Sequence, residues 1–266
     1  MLKSRDPHPA RPEWNRVLTA AVALPVVVLL TLFAPHWLFA IAVGVFSAFS
    51  VDEFFSLAEK QGIGRPGRWF LALAAGVSVS FLGGFSWVLS AIVITAMLLM
   101  TAAIFVGSLQ SALGRVGMGL GGIVYCPLTL GYLVMIPRER ILLLLAIVWF
   151  GDTAAYYGGR TLGRHLLAPK VSPNKTVEGA IAGLIGSVVA GAIGGTCFLH
   201  ESLSKVVWIS FATAIAGQLG DLAESILKRS AGVKDSSSIM PGHGGILDRL
   251  DSLFFATPIF YWFFIA

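Results

Sequence analysis

Carboxylates and cations with chemical potential concentrate in residues 220–251, within a 266-residue chain that is 56% hydrophobic and 12% charged. Spacings of zero, three, four and seven place the first group on one face of a helix: Asp221, Glu224, Ser225 and Lys228. Two further acids, Asp248 and Asp251, begin the next apolar segment. Acids at two neighbouring helix ends could bind a hard cation through oxygen, as Mg²⁺ requires. A solvated helix end and first-turn caps are the alternatives.

The stretch "PGHGGILDRLD", residues 241–251, adds glycines to these charges. Gly242, Gly244 and Gly245 let the backbone approach a bulky ligand and turn amide groups toward phosphate oxygens. A plain tight turn would also explain the glycines, but nearby cations favour an anion site: Lys228, Arg229, Lys234 and Arg249. His243 is more typical of a hydrogen-bonding group than of a metal ligand.

A second polar segment, residues 151–179, repeats this theme. It contains "SPNKTVEG", which is typical of a helix start, so Lys175 and Thr176 either cap a helix or contact phosphate. Asp152 follows the apolar run "ILLLLAIVWFGD", where an ionisable group within a membrane is costly and indicates a role. The two polar segments hold seven of the fourteen acidic residues: Asp152, Glu178, Asp221, Glu224, Asp235, Asp248 and Asp251.

The elements that position these residues are predicted to be membrane helices. A mean hydropathy of +0.81 exceeds what a soluble domain tolerates, and about 20 apolar residues cross the hydrocarbon core. We predict an all-α, polytopic transmembrane helical bundle with about nine spans: 17–34, 36–51, 69–84, 86–107, 119–136, 140–158, 176–199, 206–227 and 250–266. Cys126 and Cys197 both lie inside these spans, so neither a disulfide nor a thiol metal site is indicated.

The distribution of cations predicts the orientation. With a cytoplasmic N-terminus, sixteen of the nineteen Lys and Arg residues fall inside, and only Arg138, Arg140 and Lys205 fall outside. The basic balance is therefore topological, and we expect membrane lipids rather than nucleic acid as partners. The stretch "VDEFFSLAEK" is interpreted as an amphipathic helix whose Asp52 and Glu53 serve orientation or lipid contact.

The chain divides into three parts on this interpretation. Residues 1–16 form a basic cytoplasmic N-terminal tail, 17–150 the N-terminal transmembrane helices, and 151–266 a C-terminal transmembrane catalytic region.

The stretch "SILKRSAGVKDSSSIMPGHGGILDRLD" resembles the C-terminal signature of phosphatidate cytidylyltransferases, also called CDP-diacylglycerol synthases. The matching positions are Ser225, Lys228-Arg229, Lys234-Asp235, His243-Gly244-Gly245, Asp248-Arg249 and Asp251. Met240 replaces a usual Leu, Ile or Phe, which preserves apolar volume. "SPNKTVEG" and "GDTAAYYGGR" also look like family segments, although Asn174 often has a lysine counterpart. The resemblance covers 151–251 closely; before that it rests on hydropathy and "RVLTA".

The resemblance implies transfer of a cytidylyl group from CTP to phosphatidate at the cytoplasmic surface, with release of pyrophosphate, in an integral protein of the bacterial inner membrane. Mg²⁺ is the implied cofactor, with Asp221, Asp248 and Glu224 as its ligands, and a second cation and a homodimer stay open. Residues and resemblance together predict catalytic roles for Asp152, Asp221, Lys228, Arg229 and Asp248. They predict substrate contacts for Lys170, Ser172, Asn174, Lys175, Thr176, Glu178, Ser225, Lys234, Asp235, His243, Gly244, Gly245, Arg249 and Asp251.

Two other functions are compatible with part of this pattern. A cation-coupled transporter could use Asp152, Asp221 and Glu224 as an ion path, but the acids lie toward one side and no inverted repeat is evident. A phosphatidyl-alcohol transferase would carry an Asp-Gly-x-x-Ala-Arg signature, which the sequence lacks. The residues therefore favour nucleotidyl transfer.

Overall fold

A bundle of helices with one small hairpin makes up the computed structural model, which describes residues 13–239 and 244–266. The predicted basic tail lies almost wholly outside the described residues, as do Gly242 and His243. The elements are α1 (Glu13–Phe33), α2 (His36–Glu59), α3 (Trp69–Val79), α4 (Phe85–Phe105), α5 (Ala112–Ile123), α6 (Thr129–Met135), α7 (Arg138–Leu162), β1 (Leu166–Ala168), β2 (Ser172–Thr176), α8 (Val177–Cys197), α9 (Leu203–Ser230) and α10 (Leu247–Phe264).

Within the described residues, six helical stretches are long and apolar enough to cross a membrane: His36–Glu59, Phe85–Phe105, Leu109–Met135, Arg138–Leu162, Val177–Cys197 and Leu203–Ser230. Each of the nine predicted segments coincides with a helical segment, but nine spans are not confirmed. Leu24–Phe33 and Trp69–Gly83 are shorter apolar helices, and α10 carries Asp248, Arg249 and Asp251 near its start. The helical class is confirmed, and these lengths indicate an integral membrane protein.

The hairpin of β1 and β2 departs from the all-α prediction. The two strands are antiparallel, and Leu166 pairs with Thr176 while Ala168 pairs with Ser172. The sequence around them, "RHLLAPKVSPNKT", has no sustained alternation of apolar and polar residues, so periodicity did not predict strands. The hairpin directly precedes α8 and places its first turn beside the end of α7.

Long-range contacts join several connections at one end of the bundle. Arg138 donates to the carbonyl oxygen of Leu32 at 2.9 Å, and Arg140 pairs with Glu201 at 3.1 Å. Phe264, at the end of α10, lies beneath the guanidinium of Arg140 at 4.6 Å. The three cations that the charge bias separated from the rest, Arg138, Arg140 and Lys205, therefore share one end, because Lys205 also pairs with Glu201.

Helix α8 packs very closely between α7 and α9. Its buried face consists of residues four apart: Gly179, Gly183, Ser187, Gly191 and Gly195. A Cβ at Gly183 would lie 3.0 Å from both Ala155 of α7 and Gln218 of α9. Small residues thus allow α7 and α9, which carry Asp152 and Asp221, to approach α8 on both sides.

Helices α5 and α6 are joined by a π-helical turn, Val124–Leu128, which contains Pro127. A proline has no amide hydrogen and cannot continue a regular α-helix, so the wider turn accommodates it. The turn brings the ring of Tyr125 to 4.7 Å from that of Phe254 in α10. A side chain from the first half of the chain thereby reaches the C-terminal helices.

Candidate functional site

Ion pairs draw the two polar segments of the sequence together. Lys175, at the end of β2, pairs with Asp221 of α9. Lys228, also on α9, pairs with Glu224 one turn earlier and with Asp248 of α10 at 2.7 Å. The two polar segments of the sequence therefore meet in the structure.

The stripe predicted for α9 is present as two side-chain pairs on one face of the helix. Ser225 donates a long hydrogen bond of 3.5 Å to Asp221, and Lys228 pairs with Glu224 across one turn. Glu224 is fully buried, and the side chain of Lys228 is 13% exposed. The charges of Glu224 and Lys228 are thus shielded from solvent, and electrostatic interactions in such a buried environment are stronger than in water.

Asp248 is held by partners on every side. Its Oδ1 accepts from Lys228, and its Oδ2 accepts from the amide of Gly245 at 2.7 Å and from the amide and hydroxyl of Ser236 at 3.0 and 2.9 Å. Burial alone would raise the pKa of Asp248, but the hydrogen bonds that its carboxylate accepts from Lys228 and Gly245, with the positive charge of Lys228, hold the pKa at about 2. The carboxylate is therefore ionised at neutral pH.

Two more carboxylates belong to the same region. Asp152 of α7 interacts electrostatically with Asp221, Lys175 and Arg249, and Asp251 interacts with Asp221 and Asp152. We call the five acids the acidic cluster: Asp152, Asp221, Glu224, Asp248 and Asp251. Asp152 is exposed and lines a small cavity between α7, α8, α9 and α10. The cluster thus has a side that a ligand can reach.

The charge of the acidic cluster fits a divalent cation. Five carboxylates face three cations, Lys175, Lys228 and Arg249, which leaves a formal excess of two negative charges. Carboxylate oxygens are the ligands that Mg²⁺ prefers. Within residues 13–239 and 244–266, no three His, Cys, Asp or Glu side chains converge as a ready ligand set, because lysine ammonium groups lie between the acids.

The residues around β2 have mainly local partners. Thr176 caps α8, since its hydroxyl accepts from the amide of Gly179 at 3.1 Å. Glu178 accepts from the amides of Arg164 and His165 at 3.0 and 3.2 Å, and its other oxygen lies 2.6 Å from the His165 ring. Capping, one of the two readings of this segment, is confirmed for Thr176. The other predicted contacts here are half-buried Ser172 and exposed Lys170 and Asn174.

The loop after α9 contains further predicted contacts. Arg229 donates to the carbonyl oxygens of Val171 in the hairpin and Val233, at 3.2 and 3.0 Å. Lys234 and Asp235 are exposed. Gly244 adopts φ +80°, a conformation that favours glycine, and a Cβ at Gly245 would collide with Ser236 and Glu53. Backbone conformation at Gly244 and packing at Gly245 therefore require glycine, whether or not phosphate approaches them.

Two residues at the site were not predicted from the sequence. Glu53 of α2 is not a lipid contact as expected, because it is 2% exposed and accepts hydrogen bonds from the loop before α10. Its neighbours Val51, Phe54 and Phe55 are buried too, so the available signal was a pair of acids, Asp52 and Glu53, flanked by apolar residues. Asp52 instead pairs with Arg65 at 2.8 Å.

The second unpredicted residue is Tyr125. Its buried hydroxyl has no hydrogen-bond partner among the described residues, and it interacts electrostatically with Glu224, Asp251 and Asp221. The π-helical turn sets its direction, and nothing in the local sequence pattern marks that turn except Pro127. The phenol therefore faces the acidic cluster from the N-terminal half of the chain.

Comparison with known proteins places these residues in a wider group. The sequence profile described as "Cytidylyltransferase family" matches residues 14–266. The phosphatidate cytidylyltransferase of Haemophilus influenzae is 46% identical over 140 residues, which cover 48% of this chain and 47% of that protein. Proteins of the same name from Staphylococcus saprophyticus and Brucella suis are 46% and 45% identical over 123 residues, covering 45–46% of either chain. The chain thus matches about half the length of these relatives.

Proposed function

Because the chain belongs to the cytidylyltransferase family, we propose that it transfers a cytidylyl group from CTP to phosphatidate, giving CDP-diacylglycerol and pyrophosphate. The observation that carries the proposal is the junction of both polar segments through Lys175–Asp221 and Lys228–Asp248. These pairs put cations beside acids at one place, which suits a reaction between two phosphate compounds.

The reaction needs no covalent enzyme intermediate. A phosphate monoester carries about −1.5 to −2 charges near neutral pH, so an oxygen of phosphatidate can attack the α-phosphorus of CTP without a strong base. The bond between that phosphorus and the oxygen bridging to the β-phosphorus breaks, and pyrophosphate leaves with the electron pair. Repulsion between the two anions is the main obstacle. Lys175, Lys228 and Arg229 would reduce it by binding phosphate oxygens.

Mg²⁺ would be held by Asp221 and Asp248, with Glu224 beside them. The formal negative excess of the acidic cluster supports this assignment, although Asp248 and Glu224 must exchange part of their present contacts. When bound, the cation supplies charge stabilisation at the α-phosphate and at the leaving group. The protein's own part is to keep Asp221 and Asp248 on separate helices, where Lys175 and Lys228 hold them before substrate enters.

The site would face the cytoplasm of a bacterial inner membrane, where CTP is soluble and phosphatidate is anchored. The sixteen-to-three distribution of cations supports an N-in, C-out arrangement with nine spans. Single cysteines near Arg160 and Lys234 should resist a membrane-impermeant thiol reagent in intact cells and react in opened membranes. Rapid labelling of these cysteines in intact cells would show that the orientation is the opposite of the proposed one.

The activity is tested by CTP-dependent pyrophosphate release from purified protein, with and without phosphatidate. We expect release that requires both phosphatidate and Mg²⁺, and a lipid product that contains cytidine. Pyrophosphate release that does not depend on phosphatidate, or no release at all, would refute this substrate assignment.

A further inference from the structure

Glu53 is a buried carboxylate far in sequence from the acidic cluster. Its side chain lies on α2 and accepts four hydrogen bonds, all from the segment that leads into α10. The donors are the hydroxyls of Ser236 and Ser237, at 2.8 and 2.7 Å, and the amides of Ile246 and Leu247, at 3.0 and 2.8 Å. These residues are 183 to 194 positions away along the chain.

Each oxygen of Glu53 joins both sides of this loop. Oε1 accepts from Ser237 and Ile246, while Oε2 accepts from Ser236 and Leu247. The carboxylate therefore ties residues 236–237 to residues 246–247 at the base of the loop. Gly245 fits this arrangement, because a Cβ there would collide with Oε2 of Glu53.

The same loop base holds Asp248. Ser236 donates its amide to Asp248 and shares its one hydroxyl hydrogen between Glu53 and Asp248, and Gly245 donates its amide to Asp248. Asp248 in turn receives Lys228. A continuous set of hydrogen bonds thus runs from Glu53 of α2 through Ser236 and Asp248 to Lys228, which would bind phosphate in the proposed reaction.

We infer that Glu53 is a positioning residue: by joining residues 236–237 to residues 246–247, it holds Asp248 and Lys228 in the geometry that meets substrate phosphates. Its effect on catalysis rests on the proposed function, whereas its effect on the loop does not. A displacement of about 1 Å at a reacting group can lower the rate by about 100-fold. Loss of the Glu53 hydrogen bonds should therefore have a measurable effect on the reaction rate if it displaces Asp248 or Lys228.

Glu53→Gln is the sharpest variant. The amide keeps the size of the side chain but replaces one accepting oxygen by an NH₂ group. The serine hydroxyls can rotate and accept instead, but a backbone amide cannot, so Ile246 or Leu247 would face a second donor. Asp52→Asn is the matched control, because it removes the same charge one residue away, at a carboxylate that is 37% exposed and pairs with Arg65.

The first measurement is amide hydrogen exchange at Ile246 and Leu247. We expect Glu53→Gln to speed exchange at these amides by about tenfold or more, with no change at them in Asp52→Asn. Ser237→Ala removes one donor while Glu53 stays charged, and should give a smaller increase; this milder variant serves if Glu53→Gln fails to fold. Unchanged exchange in the folded variants would overturn the inference.

The second measurement is kcat/KM for CTP, taken well below the unfolding temperature of each variant. We expect a loss of about 10- to 100-fold in Glu53→Gln and near-normal values in Asp52→Asn. A lowered unfolding temperature with normal turnover would mean that Glu53 acts on stability alone. If the unaltered protein shows no CTP-dependent turnover, the proposed function fails, and hydrogen exchange still decides whether Glu53 holds the loop.

Discussion

Lys228 lies between two carboxylates that belong to different helices, 2.7 Å from Oδ1 of Asp248 and in contact with Glu224 of its own helix. Its side chain is 13% exposed, that of Asp248 is 6% exposed, and Glu224 is fully buried. A cation in this position offsets two buried negative charges. Lys228 therefore has a structural task besides any contact with phosphate.

Lys228→Met should consequently lower both activity and stability. Removing one partner of a buried ion pair typically costs about 3–5 kcal/mol, because the remaining charge is left uncompensated. Thermal unfolding in detergent would measure the loss. Adding Glu224→Gln, which removes one of the two acids, should recover part of the stability without recovering the activity. A Lys228→Met protein with normal unfolding and no activity would show that the lysine acts on substrate alone.

Asp221→Asn should leave the fold intact and abolish transfer. Asp221 and Lys175 are about 30% exposed, so their pair contributes little to stability, roughly 0–1 kcal/mol. The charge is instead what a hard cation requires. Parallel assays of unfolding and CTP-dependent pyrophosphate release would separate these effects. Near-normal turnover of this variant at ordinary Mg²⁺ concentration would show that Asp221 is only a charge at a helix end and does not bind the metal.

Thr176→Ala should destabilise the start of α8. Loss of an N-cap hydroxyl costs about 0.5–2 kcal/mol, and Thr176 accepts the amide of Gly179. Thr176→Ser retains the hydroxyl and is the control. We expect the Ser variant to unfold near the normal temperature and the Ala variant several degrees lower. Equal loss of activity in both, without any thermal change, would instead indicate that the methyl group contacts a ligand.

Tyr125→Phe should not reduce thermal stability. The hydroxyl is buried without a partner among the described residues, and such a group costs about 1–3 kcal/mol relative to a paired one. Removing it relieves that cost while the ring keeps its contact with Phe254. A clear drop in unfolding temperature would reveal a bound partner, such as an ordered water, that the hydroxyl needs.

The sequence predicted those parts of the site that local spacing controls. Asp221, Glu224 and Lys228 share a helical face because helical neighbours recur every three to four residues, and the Lys228–Glu224 pair follows directly. The nine helical segments could be predicted because each contains enough apolar residues to form a helix that buries them. The assignment of Mg²⁺ ligands and substrate contacts stays a prediction.

Long-range partners could not be predicted in this way. Glu53 bonds to residues more than 180 positions away, and no local pattern encodes a contact of that separation. Tyr125 depends on a π-helical turn, whose extra residue per turn rotates every side chain that follows it. The hairpin before α8 contacts Arg229 of α9, which lies 58 positions from Val171, and no local sequence pattern encodes that partner.

The four-residue spacing on α8 divides that helix into two sides with different evolutionary freedom. Ile181, Ile185, Val189 and Ile193 point outward and are half or more exposed, so other apolar residues can replace them at little cost. The opposite side admits almost no change, because a methyl group at Gly191 would overlap Ser210 and one at Gly195 would overlap Val206. Tolerance to substitution along α8 should therefore vary with the helical repeat. The intolerant positions should be those at which α7 and α9 approach α8 most closely.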